Sequence, residues 1–137
     1  MVGPETLSGY GIKDGMAVIV FTDGRKLKLL PEWKGDRVRC VTRAMLFEKN
    51  ELVAVAGSSG FWTSGEISQQ VMGQYCAFAI DIERQAYRFY RQKKIDEQTW
   101  QIKFRTFWKI AMKCQTLVLS LQSASLPVVQ KTEWEGM

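Results

Sequence analysis

The first half of the chain repeats apolar residues with the period of two that is typical of β-strands. Residues 17–21 form an apolar run, an Asp-Gly pair follows at 23–24, and Lys and Leu alternate from residue 26. A β-rich run, an Asp-Gly turn and an alternating run predict a hairpin with its lysines in solvent and its leucines inside. We expect Pro31 to end the second strand.

A second hairpin is predicted further along the same half. Residues 44–47 and 52–56 are apolar runs, and the polar residues 48–51 separate them. With a short strand candidate at 38–41, residues 16–56 predict an antiparallel meander of four or five strands. Glycines punctuate residues 1–15, which we expect to be an irregular lead-in.

The apolar period then changes to that of helices. A Gly-Ser-Ser-Gly break at 57–60 is followed by Thr-Ser-Gly-Glu at 63–66, which fits a capping box and predicts a first helix over about 64–94. The apolar face of this helix is predicted to consist of Ile67, Val71, Tyr75, Phe78, Ile82, Ala86 and Phe89.

A second helix is predicted over about 96–122, with Asp96 as its N-cap. Its seam repeats at heptad spacing and consists of Trp100, Phe104, Phe107, Ala111, Cys114, Val118 and Leu121. Residues 98–108 also alternate as a strand would, but the heptad pattern persists for more than twenty residues without a turn residue, which favours the helix because strands are rarely that long. Because almost no linker separates the two helices, we expect an antiparallel hairpin.

These elements predict one α+β domain over residues 1–137, in which the N-terminal meander packs on the C-terminal helical hairpin. A chain of 137 residues can bury a core without disulfides or metals. Residues 123–137 contain Pro127 and an acidic, Trp-bearing end, and we expect them to be a surface tail.

The amino-acid composition excludes several kinds of catalysis and metal site. The chain has no histidine, which excludes Ser-His-Asp and Cys-His catalysis and all His metal sites. Its three cysteines, Cys40, Cys76 and Cys114, include no CxxC pair and are interpreted as reduced thiols. Arginines 37 and 39 would lower the pKa of the Cys40 thiol only if they faced it. We therefore predict a non-enzymatic protein with no catalytic residue, metal site or cofactor.

Two surfaces of the helices are candidates for binding. The second helix is apolar beyond its seam, which indicates a homo-oligomer or partner interface or, alternatively, a central core helix. The candidate interface residues are Trp108, Met112, Leu119, Ile110 and Leu117. Basic residues repeat away from the seams, and with interleaved tyrosines they fit contact with phosphate or nucleic acid or, alternatively, a solvated face. These residues are Arg84, Arg88, Arg91, Lys109 and Lys113, with Tyr87 and Tyr90 as aromatic contacts.

The leading hypothesis is a small binding or assembly protein that self-associates through its helices or binds another protein. Its size would fit an accessory or inhibitor protein of a virus or mobile element. The alternative is a protein that binds nucleic acid or a phosphate-bearing ligand, which the formal charge of +5 permits. No apolar run is long enough to span a bilayer and the N-terminus lacks the pattern of a signal peptide, so we expect a cytoplasmic protein without membrane contact.

Overall fold

The structure, a computed structural model, describes residues 7–123 and 125–135, without the side chains of residues 83, 86 and 135. It has the predicted α+β architecture, in which an antiparallel meander precedes a helical hairpin. The sheet has six strands that pair in sequence order. The strands are β1 (Leu7–Lys13), β2 (Met16–Phe21), β3 (Arg25–Lys34), β4 (Arg37–Glu48), β5 (Glu51–Gly57) and β6 (Gly60–Thr63).

Strand β1 lies where an irregular lead-in was expected. Its glycines hide the alternating pattern, because Gly9 and Gly11 pair with Val20 and Val18 on the sheet face that the helices do not cover. Tyr10 points to the opposite face, where its ring lies 4.9 Å from that of Phe107. Residues 1–6 of the predicted lead-in lie outside the described residues.

Pro31 does not end the second strand of the first hairpin. Strand β3 continues to Lys34, and the ladder to β4 shifts register between Leu30 and Pro31. A bulge tolerates proline because its missing N–H is not required there. Residues 31–34 and 37–41 consequently pair only with each other, beyond the ends of β2 and β5. We call this two-stranded extension the β-ribbon.

The first helix starts later than the capping-box pattern predicted. Residues 60–63 form β6, and the helix α1 (Gln69–Arg91) is capped by Ser68, whose hydroxyl accepts a hydrogen bond of 3.1 Å from the Val71 N–H. The predicted break at 57–60 is therefore a hairpin turn between β5 and β6.

Residues 98–108 are helical, as the longer pattern favoured. The second predicted helix is interrupted, however, and forms α2 (Glu97–Met112) and α3 (Gln115–Gln122). Near the interruption the N–H groups of Lys113 and Cys114 donate to the carbonyls three residues before them, at 3.1 and 3.2 Å. No glycine or proline marks this tightened turn in the sequence. The seam continues across it, since Cys114, Val118 and Leu121 are all buried.

The core lies between the hairpin and one face of the sheet. On the sheet it contains Ile19, Leu27, Leu29 and Leu46, with Phe21 and Ala44 beside them. On the helices the largest buried side chains are Met72, Phe78, Ile82, Phe107, Ile110 and Leu121. The apolar stripe of α1 is therefore covered as far as Ile82, whereas Phe89 is exposed.

The last described residues fold back on the sheet. The Phe61 N–H donates to the Pro127 carbonyl at 2.8 Å, and the Val129 N–H donates to the Phe61 carbonyl at 3.0 Å, so this segment extends the sheet beside β6. The short helix α4 (Thr132–Glu135) then buries Trp134 against Gly57. The expected surface tail is thus anchored by a buried indole.

In the part of the chain that the structure describes, every helix falls short of the length and apolarity that crossing a membrane requires.

Candidate functional site

The loop end of the helical hairpin, residues 84–106, contains no buried side chain among those that the structure describes. We call this segment the helical arm. Its exposed apolar side chains include Tyr87, Phe89 and Ile102, and Ile102 is 74% exposed. Asp96 caps α2 within the arm by accepting a hydrogen bond of 2.8 Å from the Thr99 N–H, and this bond lowers the pKa of the carboxyl. The arm is thus formed largely by helix, although none of its described side chains is buried in a hydrophobic core.

A ladder of aromatic rings connects the two helices of the arm. The rings of Tyr90 and Trp100 stack with centroids 5.9 Å apart, and Tyr87 lies edge-on to Trp100 at 6.1 Å. Trp100 contacts Phe104 at 5.2 Å, and Phe104 contacts Tyr10 of β1 at 5.5 Å. Each such pair contributes about 0.5–1.5 kcal/mol beyond its buried area. The ladder therefore stiffens the arm while leaving ring surface open to solvent.

Positive charge is concentrated on the arm. It contains seven cations, which are Arg84, Arg88, Arg91, Lys93, Lys94, Lys103 and Arg105, and its two carboxylates belong to Asp96 and Glu97. The difference of five equals the formal charge of the whole chain, +5. Among the described side chains of the arm, Arg84 forms an ion pair of 3.7 Å with Asp81, which precedes the arm, and the two side chains are 70% and 47% exposed. Such a pair is too weak to neutralise the surface.

The predicted basic residues fall into two separate groups. Arg84, Arg88 and Arg91 are exposed on α1, as their spacing predicts. Lys109 and Lys113 lie at the other end of α2, where Lys109 is half-buried and Lys113 exposed. Of the two predicted aromatic contacts, Tyr87 is exposed and Tyr90 is half-buried in the ladder.

Lys109 and Lys113 line a groove between the end of α2 and the β-ribbon. Its volume is about 320 Å³, and its walls are Arg37, Val38, Trp108, Lys109, Met112 and Lys113. No carboxylate is among these residues. The groove brings together Trp108 and Met112, predicted as interface residues, with two predicted phosphate contacts. Arg37 comes from a distant part of the chain, and nothing in the spacing indicates its approach.

Some of the predicted interface residues are exposed in the structure and others are buried in the core. Leu119 is 58% exposed, and Trp108 and Met112 are also exposed. Ile110 and Leu117 are core residues, with exposed fractions of 0% and 6%. Their prediction as interface residues was wrong, because α1 and the sheet cover two sides of α2 and α3.

A polar network that the sequence did not reveal holds α1 to the β2–β3 turn. The Tyr75 hydroxyl accepts from Arg25 Nη1 at 2.7 Å and donates to Asp23 Oδ2 at 2.8 Å. Arg25 Nε also pairs with Glu48 Oε2 at 3.3 Å. Burial is the main reason that the pKa of Tyr75 is raised, so the phenol stays protonated. Since Arg25 and Asp23 satisfy the hydroxyl on both sides, the network positions the helix.

The three thiols are held in their protonated form. Cys40 is half-buried and donates to Glu32 Oε2 at 3.3 Å, and its pKa is raised by burial and then by Glu32. The lowering effect of Arg39 is smaller, and Arg37 is not among the causes. Burial raises the pKa of Cys76 well above its usual range and that of Cys114 to about 12. None of the three is therefore an activated nucleophile.

Across the described residues, no three or more His, Cys, Asp or Glu side chains come together as metal ligands would.

The fold and these surfaces define an α+β protein in which a six-stranded antiparallel meander supports a helical hairpin with a basic, aromatic arm. Comparison with models of protein families, with curated proteins and with solved structures gives no match for this chain.

Proposed function

We propose that this chain is a non-enzymatic binding protein whose partner is nucleic acid, and that the helical arm is its principal binding surface. The observation that carries the proposal is the coincidence, on one uncovered segment, of the chain's entire excess of positive charge with a ladder of aromatic rings in which Tyr87 is exposed.

The charge pattern favours a polyanion as the partner. Exposed cations that neutralise phosphates release condensed counterions, and this release drives most non-specific binding to nucleic acid. Arg88 and Arg91 are exposed and stand one turn apart on α1, so they can follow successive phosphates. Two copies of the arm would repel each other, because each has an excess of five positive charges.

The aromatic ladder supports the same partner. Bases stack on exposed rings with little dependence on sequence, at about 1–3 kcal/mol per base. Tyr87 presents ring surface to solvent between Arg84 and Arg88, which is the interleaving of rings and cations that such binding uses. Since Tyr90 and Trp100 hold the Tyr87 ring from one side, it is already oriented before any partner arrives.

The test is the affinity of charge-reversed variants for a labelled oligothymidylate of about 16 nucleotides, a typical site size. We expect R84E/R88E to weaken binding about tenfold or more, because two contacts become repulsive. K13E/K49E is the matched control, since it makes the same change of charge at two exposed residues outside the arm. An equal loss in both variants, or no binding by the wild type at low salt, would contradict the proposal.

Self-association is the second candidate function, with another copy of the chain as the partner. It is supported by Leu119, which is 58% exposed although its neighbours on α3, Leu117 and Val118, are buried. Light scattering coupled to size exclusion should then give a dimer or larger species that L119E reduces to monomer. A monomer at high concentration in the wild type would exclude it.

We also propose that the chain works in the cytoplasm. The support is chemical, since Cys76 and Cys114 are buried free thiols, which are typical of a reducing compartment.

A further inference from the structure

The groove beside the β-ribbon lies outside the helical arm and is lined by residues of both the sheet and α2. It is a partly open cleft with a volume of about 320 Å³. One wall is the ribbon at Arg37 and Val38, and the other is the last turn of α2. A space of this size suits one compact group at a time.

Apolar and aromatic side chains line part of this groove. Trp108 is 36% exposed there, and Met112 lies one turn further along α2. A second indole lies on the same side of the ribbon, because Trp33 pairs directly with Val38 and paired residues point to one face of a sheet. Trp33 is 43% exposed. Planar groups therefore find stacking surfaces both inside the groove and at its ribbon side.

Positive groups line the rest of it. Arg37, Lys109 and Lys113 all border the groove without a carboxylate among the lining residues. Glu32 on the ribbon strands is engaged by Cys40 at 3.3 Å and by Arg39 at 3.8 Å, and Asp36 of the ribbon turn directly precedes Arg37. The groove thus joins an apolar, aromatic part to a positive part, which matches a ligand with a planar body and a negative charge.

We propose that this groove binds one nucleotide of a single-stranded nucleic acid, with the base against Trp108 and Met112 and the phosphates at Arg37, Lys109 and Lys113. This inference rests on the proposed function and adds to it a preference for single-stranded over double-stranded nucleic acid. The arm binds phosphates of either a single strand or a duplex. Only an unpaired base can leave its stack and enter the groove, so the groove adds a preference for single strands.

An acidic peptide would satisfy the same cations but is a poorer match to the aromatic part. Its carboxylates and short aliphatic stems offer no aromatic ring to stack on Trp108. A nucleotide offers both a π-face and a phosphate at a fixed separation, and arginine and tryptophan are the side chains that recognise this combination.

The experiment compares the full chain and its variants on labelled oligothymidylate and on a labelled duplex, each of about 16 nucleotides or base pairs. W108L keeps an apolar side chain but removes the ring face. We expect it to weaken binding to the single strand about fivefold or more, the lower bound for one stacked base, and to leave duplex affinity unchanged. K109Q/K113Q should likewise weaken binding to the single strand and leave duplex affinity unchanged. R84E/R88E should weaken binding to both the single strand and the duplex.

The outcomes separate the two proposals. Unchanged single-strand affinity in W108L, or an equal loss for single strand and duplex, overturns the inference whatever R84E/R88E does. Losses confined to the groove variants support the groove and overturn the arm as the principal surface. Displacement of the oligonucleotide by polyglutamate as effectively as by unlabelled oligothymidylate also overturns the inference and makes the ligand an acidic peptide. If circular dichroism shows that W108L does not fold, K109Q/K113Q is judged by the same criteria.

Discussion

The Tyr75 hydroxyl donates a hydrogen bond of 2.8 Å to Oδ2 of Asp23, which joins the second turn of α1 to the turn between β2 and β3. The same hydroxyl accepts from Arg25, and the Tyr75 ring lies edge-on to Phe21 at 4.8 Å. This contact fixes the covered half of α1 on the sheet, and the helical arm extends from that fixed half. The position of the helical arm therefore depends on the Tyr75 contact, which lies outside the arm.

Removing the hydroxyl should weaken this anchor. We expect Tyr75→Phe to lower the free energy of unfolding by about 1–2 kcal/mol, because the donors and acceptors of Arg25 and Asp23 lose a partner. Urea denaturation measures the change. Tyr87→Phe is the control, since its exposed ring should shift stability by less than about 0.5 kcal/mol. Equal effects of the two substitutions would show that the Tyr75 hydroxyl does not hold the helix.

Gly57 should be intolerant of a side chain, because the Thr42 carbonyl and the indole of Trp134 both approach it closely. A Cβ at Gly57 would lie 2.8 Å from the Thr42 carbonyl oxygen and 3.1 Å from the Trp134 ring. We expect Gly57→Ala to destabilise the protein by about 1–3 kcal/mol, the usual cost of overpacking. Thermal denaturation with circular dichroism would report it.

Gly11→Ala is the matched control for that substitution. Gly11 is also a strand glycine, but a Cβ there would meet nothing within 4 Å. We expect its stability to change by less than about 0.5 kcal/mol. If Gly11→Ala costs as much as Gly57→Ala, the loss reflects strand glycines in general, and the close approach of Thr42 and Trp134 to Gly57 is not the reason.

The stability of the protein should fall in alkali in a way that depends on Tyr10. Burial raises the pKa of Tyr10 from 10.0 to about 12, so the folded state favours the neutral phenol. This contribution is complete below pH 10 and is lost as the pH rises from 10 towards 12. We therefore expect wild type to lose stability relative to Tyr10→Phe above pH 10, measured by urea denaturation. A constant difference between the two proteins across that range would refute the assignment.

The thiols should differ in their accessibility to a disulfide reagent. Cys40 is half-buried, whereas Cys76 and Cys114 are fully buried. We expect Cys40 to react in the native protein and the other two only after unfolding. Absorbance of the released thiolate gives the time course, and Cys40→Ser should abolish the native phase. A native phase that persists in this variant would indicate that the core around Cys76 or Cys114 opens readily.

Local patterns predicted most of the architecture. The Asp-Gly turn and the alternating lysines and leucines placed the first hairpin, and the heptad seam from Trp100 to Leu121 placed the second half of the helical hairpin. These patterns extend over many residues, and tertiary contacts did not change the secondary structure that they predict. What they missed was governed by contacts elsewhere, such as the pairing of Gly9 and Gly11 with β2 and the bulge at Pro31.

The candidate site was predictable only in part. The outward direction of Arg84, Arg88 and Arg91 follows from their spacing to the seam, since helix geometry is local. Arg37 of the groove is far from Lys109 in the sequence, and a single sequence does not show that the two residues come together in the fold. Ile110 was misassigned because the apolar sides of a helix look alike until its neighbours are known.

The central claim, that the helical arm binds nucleic acid through its arginines, is tested most directly by the salt dependence of binding to oligothymidylate. Each phosphate contact contributes a slope of about −0.7 to the logarithm of affinity against the logarithm of salt concentration. R84Q/R88Q/R91Q should therefore have a slope shallower than that of the wild type by about 2. Identical slopes for the two proteins would contradict the account.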